Sequence, residues 1–441
     1  MKHMALRGRR TDWGLKINQM IERKVFFVLL LAVGVSPSAV AQINCSNGSA
    51  TSKLSCLIPT TVTPSGYTFS NSSTADLSSS RIGALLQADL GGEISQIPLA
   101  SPASGIIFTI DPTLHVPVPS DQSLGPILTQ RAETIGRHKL YVAATYQYFL
   151  LQDVDGHGLK SLPVTFLLSS NNSPSNPDTA VFANSRIDLK VHQWVGYLTY
   201  GVTDRIDVSV AVPLLRVNMR FTTNEQLFNN NGGFIQNFAN SQAEEATGIG
   251  DVVLAVKATL WKMKHGGLAL GGEFRLPSGD AQNFLGSGTI GVKPFAAFTY
   301  SGRVSPHFNV GYQANGNTDL VVTSAGNKGG LPNRLIYSGG ADWRLTRRLT
   351  IAADVLAQRV FQAPEAKIVQ NFAPFPRANP GFQISPTTVS SSGTYNRTDG
   401  SIGLKLKPFG KLLVTGNLLV KLDQGGLRSR LAPLAGVSYT F

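Results

Sequence analysis

The sequence predicts an all-β chain, an antiparallel transmembrane β-barrel of about twelve strands behind a Ser/Thr-rich N-terminal extension. Three observations predict it. From residue 139 onward, apolar residues recur at every second position. The connections between these segments alternate between long and short. The last segment alternates as far as Phe441, an aromatic end that suits recognition by the barrel assembly machinery. Composition agrees. Only 15% of the 441 residues are charged, against about 25% in soluble domains. No apolar run reaches 18 residues, which excludes a bundle of membrane helices.

Residues 25–35 (VFFVLLLAVGV) form the one strongly apolar run. It is too short to span a bilayer as a helix, follows Arg23 and Lys24, and precedes Ala39-Val40-Ala41. This is the layout of a cleaved export signal, with the mature chain expected to start at Gln42. Residues 1–41 are therefore assigned to the signal and an upstream overhang. The first 24 residues hold seven basic and two acidic side chains, so their loss reduces the formal charge of +13 to about +8. No basic helix, finger or helix-turn-helix pattern accompanies that charge, and no nucleic-acid partner is expected.

Cys45 and Cys56 are the only cysteines. They follow the cleavage site of a chain bound for an oxidising compartment, so a disulfide closing a short loop is expected, with two idle thiols as the alternative. Residues 42–137 are rich in Ser, Thr, Pro and Gly and show little periodicity. SSSRIGALLQADL reads as a short helix and GIIFTI as a short strand. The segment is too long for an ordinary loop. A periplasmic extension, a small accessory domain and a plug-like insert in the barrel all remain open.

The barrel is expected over 138–441, with strands near 139–150, 186–200, 205–221, 248–261, 267–277, 288–301, 304–314, 334–345, 348–361, 394–407, 411–422 and 429–441. In 251–260, Val252, Leu254, Val256, Ala258 and Leu260 share one face and Asp251, Ala255, Lys257 and Thr259 the other. Outer-membrane barrels pair short periplasmic turns with long extracellular loops, and the bacterial outer membrane is the expected location. Trp194, Tyr197, Tyr200, Trp261, Tyr300, Tyr312, Trp343, Tyr439 and Phe441 fall toward strand ends, as interface girdles would. Parity supports Trp194, Tyr200 and Trp261 less than the others.

The stretch from 248 to 316 carries GIGDVVLAVKATLW, GEFRLPSGDAQNFLGSGTIGVKPF and NVGYQANGN. It resembles the outer-membrane barrel "transporters" linked to the meta-cleavage pathway of phenol degradation, a likeness extending over roughly 130–441. The resemblance implies a barrel that passes hydrophobic or aromatic compounds.

With apolar faces set outward, Asp188, Lys190, His192, Asp207, Arg334 and Lys405 point into the lumen. The lumen candidates for a solute path are Lys257, Glu273, Arg275, Lys293, Asp251, Asp342, Arg344 and Asp354, with the first four as the most charged patch. A salt-bridged wall without transport is the plainer reading. Arg216 and Arg359 point outward near extracellular strand ends, where lipopolysaccharide phosphates suit them; a bulge near Leu214-Leu215 is the alternative for Arg216. Pro277-Ser278-Gly279-Asp280 is ordinary turn chemistry. No G-x-S-x-G elbow or HExxH spacing occurs, so no catalytic residue, metal or cofactor is expected. An outer-membrane lipid hydrolase would need a Ser-His pair on the outer wall, and His192 and His307 have inward parity.

Overall fold

A computed structural model describes residues 53–62, 64, 65, 67–69, 90–101, 108–110, 117–119, 123–170, 178–263, 265–322, 328–372 and 385–441. The chain divides into units 1–42 and 43–441. The first unit, with the expected export signal, lies outside the described residues, as does Cys45. Cys56 is disulfide-bonded.

Twelve antiparallel strands form the wall: β1 Leu140–Val154, β2 Thr179–Gly201, β3 Ile206–Asn229, β4 Val253–Met263, β5 Gly266–Arg275, β6 Gly291–Tyr300, β7 Val304–Asn315, β8 Asn333–Arg344, β9 Leu349–Phe372, β10 Ser385–Leu406, β11 Leu412–Lys421 and β12 Leu431–Thr440. Each pairs with the next, and β12 returns to β1 with Ala435 opposite Tyr146, so the sheet closes and has no free edge. Every expected strand is present. The strand Phe234–Ile249 continues the line of β4 along the upper half of β3, separated from it by residues 250–252.

Large apolar side chains ring the exterior: Leu198, Val212, Val256, Leu270, Phe298, Phe308, Val355, Ile402 and Val437 are all exposed. Such a belt is compatible with lipid, and closed barrels are one of two backbone arrangements that hydrocarbon tolerates. The chain is an outer-membrane β-barrel. Trp194, Phe274, Tyr312 and Tyr337 sit toward one end of the belt; Trp261, Tyr300, Trp343, Tyr439 and Phe441 sit toward the other.

Four strands overshoot that belt: β2, β3, β9 and β10. At about 3.3 Å per residue, β3 is about 80 Å long, whereas about ten tilted residues cross the hydrocarbon. In the overshoot of β2 and β3, polarity inverts without any change of register. Ile187, Leu189, Val191, Leu215, Val217, Met219 and Phe221 are buried inside, against Leu54, Leu57, Ile58 and Ile94 of the N-terminal extension. Arg186, Lys190, Arg216 and Arg220 face out.

Three expectations are corrected here. Asp188, Lys190 and His192 point outward, because odd residues of β2 face the interior along its whole length. Tyr197 is only 3% exposed and faces the lumen rather than a girdle. No bulge occurs at Leu214-Leu215, since β2 and β3 pair without interruption from Thr179–Asn229 to Gly201–Asp207. Trp194 faces out, and Trp261 reaches the surface (67% exposed) through a register shift between Thr259 and Trp261.

Candidate functional site in the barrel lumen

The wall alternates, so each strand sends every second side chain inward. Much of what it sends is polar, and most of that chemistry is directed at the extension. Residues 123–136 run without a sheet partner, so their N–H and C=O groups need other acceptors and donors. Wall side chains supply them. Lys257 donates to the carbonyls of Arg131 at 3.0 Å and Glu133 at 2.7 Å. Thr259 donates to Ala132 O, while Ala132 N donates to Thr299. Asn309 exchanges two bonds with Gln130. Ile135 N donates to Asp207 and Leu124 N to Thr350. Lys405 donates to Pro126 O at 2.6 Å and Leu124 O at 3.3 Å.

Nearer the long-loop rim, residues 90–94 are helical and carry Glu93. It accepts from Arg334 at 2.6 Å, from Arg397 and from the Tyr395 hydroxyl at 3.1 Å. Burial pushes this carboxyl up, but Arg334 and Arg397 more than offset it and hold it at about 2. The remainder of the expected helix lies outside the described residues, and the expected strand is present at Phe108–Ile110.

The eight lumen candidates separate into four settings. Lys257 clamps the extension. Asp342 and Asp354 flank the buried His307, whose Nε2 meets Asp354, and Asp342 also accepts from Ser123. Asp251 is a clasp at the break between Phe234–Ile249 and β4: it accepts from Gly279 N, Ser287 N and Ser287 Oγ. Ser278 reinforces the clasp by accepting from Val252 N and donating to Gly250 O. Asp280 caps residues 281–283 and pairs with Lys53 at 2.7 Å. Burial pushes its carboxyl up, yet Lys53, Asn283 and Gln282 hold it below the usual range. The Pro-Ser-Gly-Asp motif is thus an architectural joint. Arg344 is half-buried at the short-turn end of β8.

Glu273, Arg275 and Lys293 occupy the fourth setting. They line a cavity of about 160 Å³ between residues 96–101, 128 and 130 of the extension and the wall from β2 to β9. Glu273 and Lys293 are direct cross-strand partners with an ion pair of 2.6 Å. Ile97, Leu99, Leu128, Tyr197 and Phe295 supply the apolar surface. The Phe295 ring crosses the backbone at Gly271, where any Cβ would collide with it. Opposite, the β6–β7 ladder skips from Val292–Ala314 to Phe295–Gly311, because Pro294 has no N–H to donate.

Sequence reasoning missed Glu93, since nothing periodic marks its segment. The available signal was indirect: inward cations such as Arg334 and Arg397 need partners in a narrow lumen. It also missed the cavity's apolar half, much of which belongs to the extension. His192 is not inward, so parity gives no argument against a hydrolase there; its partner on the outer wall is the Tyr146 hydroxyl at 2.8 Å. Among the described residues, no group of three or more His, Cys, Asp or Glu is placed to hold a metal.

The wall residues of this cavity from Tyr197 to Ser338 fall within a stretch that known sequences share, whereas its extension residues and Leu356, Ala357 and Gln358 lie outside it. Residues 169–353 match the family model described as "Putative MetA-pathway of phenol degradation". The match contains the 248–316 stretch and is narrower than the 130–441 likeness read from the sequence. No curated protein matches the chain. Among solved structures, the chain is similar to the COG4313 outer membrane channel from Pseudomonas putida F1, with 11% identity, TM-score 0.40, and 70% of this chain and 98% of that one covered. It is also similar to the P. putida toluene transporter TodX (12%, TM-score 0.31, 69% and 89% covered). A third is the CymD monoaromatic hydrocarbon channel (12%, TM-score 0.31, 69% and 88% covered).

Proposed function

We propose that the protein is an outer-membrane channel for small hydrophobic or aromatic solutes, and that residues 42–137 act as a plug-like element setting the width of the path. The observation that carries this reading is the cavity between extension and wall. Its volume is close to that of the roughly 150 Å³ apolar cavity that takes up benzene. Its lining combines apolar surface with a few convergent polar groups, the usual composition of a small-molecule site. The family match to phenol degradation favours a monocyclic aromatic. Glu273, Arg275 and Lys293 are the wall residues assigned to the path, whereas Lys257 and Lys405 hold the extension.

The number of wall contacts to residues 123–136 favours a second reading, a sealed barrel with a structural role. Single-channel conductance of the refolded chain in a planar bilayer, with and without residues 42–137, separates the two. Steady conductance that rises on truncation supports the channel. A folded, heat-modifiable barrel silent in both forms overturns it. As partners we assign lipopolysaccharide phosphates to the outward cations Lys190, Arg216 and Arg220, and the assembly machinery to Phe441.

A further inference from the structure

We infer that the cavity selects aromatic acids, with Arg275 receiving the carboxylate while the ring lies among Phe295, Leu99 and Leu128. This inference rests on the channel reading and narrows its solute class.

The charges that line the cavity are unbalanced. Three charged side chains line the cavity, and two of them satisfy each other: Lys293 and Glu273 are 2.6 Å apart. Arg275 is left over. It has no hydrogen bond or ion pair among the described residues, and its Nη1 is buried without an acceptor. A guanidinium carries five donors in a planar fork that matches a carboxylate. Arg275 is half-buried, and leaving its buried Nη1 unmatched is costly; such groups in native proteins call for a specific explanation.

The neighbouring charges do not supply the missing acceptor. Asp251 stands closest in electrostatic influence, but its oxygens are engaged by Gly279 and Ser287. Arg334 is a second cation nearby and is itself committed to Glu93 and Gln358. The free valence in the cavity is therefore one positive fork beside an apolar pocket of ring size. A bidentate monoanion attached to a flat apolar body fills both halves. A neutral hydrocarbon fills only one and leaves Arg275 as it is.

The test is equilibrium binding to the detergent-refolded mature chain, using benzoate and its neutral analogue benzyl alcohol. The variants are Arg275→Gln and Arg275→Lys, each checked for heat-modifiability. The unmutated barrel should bind benzoate more tightly than benzyl alcohol. Arg275→Gln should lower the benzoate-to-benzyl alcohol affinity ratio about tenfold, the usual scale for losing a charge-assisted bond. Arg275→Lys should fall between, since it keeps the charge and loses the fork. Equal affinities on the unmutated barrel overturn the inference even if neither variant folds. So does an unchanged ratio in a folded Arg275→Gln barrel. Flux of both probes into proteoliposomes is measured separately: binding without flux refutes the channel reading alone, and flux without benzoate preference refutes the acid-selective site alone.

Discussion

Lys405 donates its ammonium to the carbonyl oxygen of Pro126 at 2.6 Å, so a buried wall cation is held by a main-chain dipole of the extension. Lys257 repeats the arrangement at Arg131 and Glu133. Replacing both lysines with Met should leave four carbonyls short of donors, at about 1–3 kcal/mol for each one that stays buried. We expect residues 123–137 to loosen while the wall stays folded. Trypsin would then cut at Arg131 and Arg137 in the variant, with heat-modifiability retained. Equal protection in variant and parent would refute the clamp.

Glu93 gives the extension a pH dependence with a defined sign. Its carboxyl lies at about 2 in the folded chain, below its ordinary 4.5. The Glu93 contribution is therefore fully present above pH 4.5 and is lost as pH falls toward 2. The amount at stake is on the order of 3 kcal/mol. Hydrogen exchange over residues 90–97 should accelerate in that window. Glu93→Gln should show fast exchange at every pH and no such window.

The polarity inversion on β2 and β3 places the edge of the lipid belt near Trp194 and Leu214. Leu270→Arg, at the middle of β5 within the belt, should destabilise the barrel by about 2–4 kcal/mol. Asn218→Arg, outward on β3 beyond the inversion, should change stability by no more than about 0.5 kcal/mol. Urea unfolding in lipid vesicles measures both. Similar penalties at the two positions would move the boundary.

Gly271 lies beneath the Phe295 ring. Gly271→Ala should push that ring off the wall and into the cavity, at about 1–3 kcal/mol, and should reduce solute binding. Phe295→Ala in the same background should recover much of the stability. If Gly271→Ala alone binds solute as the parent does, the ring is not where the structure places it.

Much of the architecture was legible in the residues. Alternation from Lys139 to Phe441 gave all twelve strands, because a wall between lipid and lumen imposes a period of two on nearly every segment. The same assumption failed on β2. There Ile187, Leu189 and Val191 are apolar because they cover a protein core, and the polar Lys190 and His192 take the outer face beyond the belt. Period alone does not tell which side holds the lipid. Trp261 joins the girdle despite its parity, because the one-residue shift beside it leaves no mark in composition. The candidate site was half visible. Glu273, Arg275 and Lys293 stood out as inward charges on paired strands. Leu99 and Leu128 did not, since they lie in a segment without periodicity.

That absence of periodicity has its own meaning. The wall grips residues 123–136 mainly through amide and carbonyl groups, which every amino acid except proline carries in the same form. Many of the instructions for seating the segment are therefore written in the barrel, at Lys257, Thr259, Thr299, Asn309, Thr350 and Lys405, beside the packing of its own Leu124, Ile127 and Ile135. Its side chains have less to do in setting that path, although buried ones such as Ile127, Arg131 and Ile135 must still fit the lumen. The portions that border the cavity are the exception, and there a change of one residue alters what the pore admits without disturbing how the segment is held. Selectivity can then evolve on a strand of chain whose position is guaranteed by others.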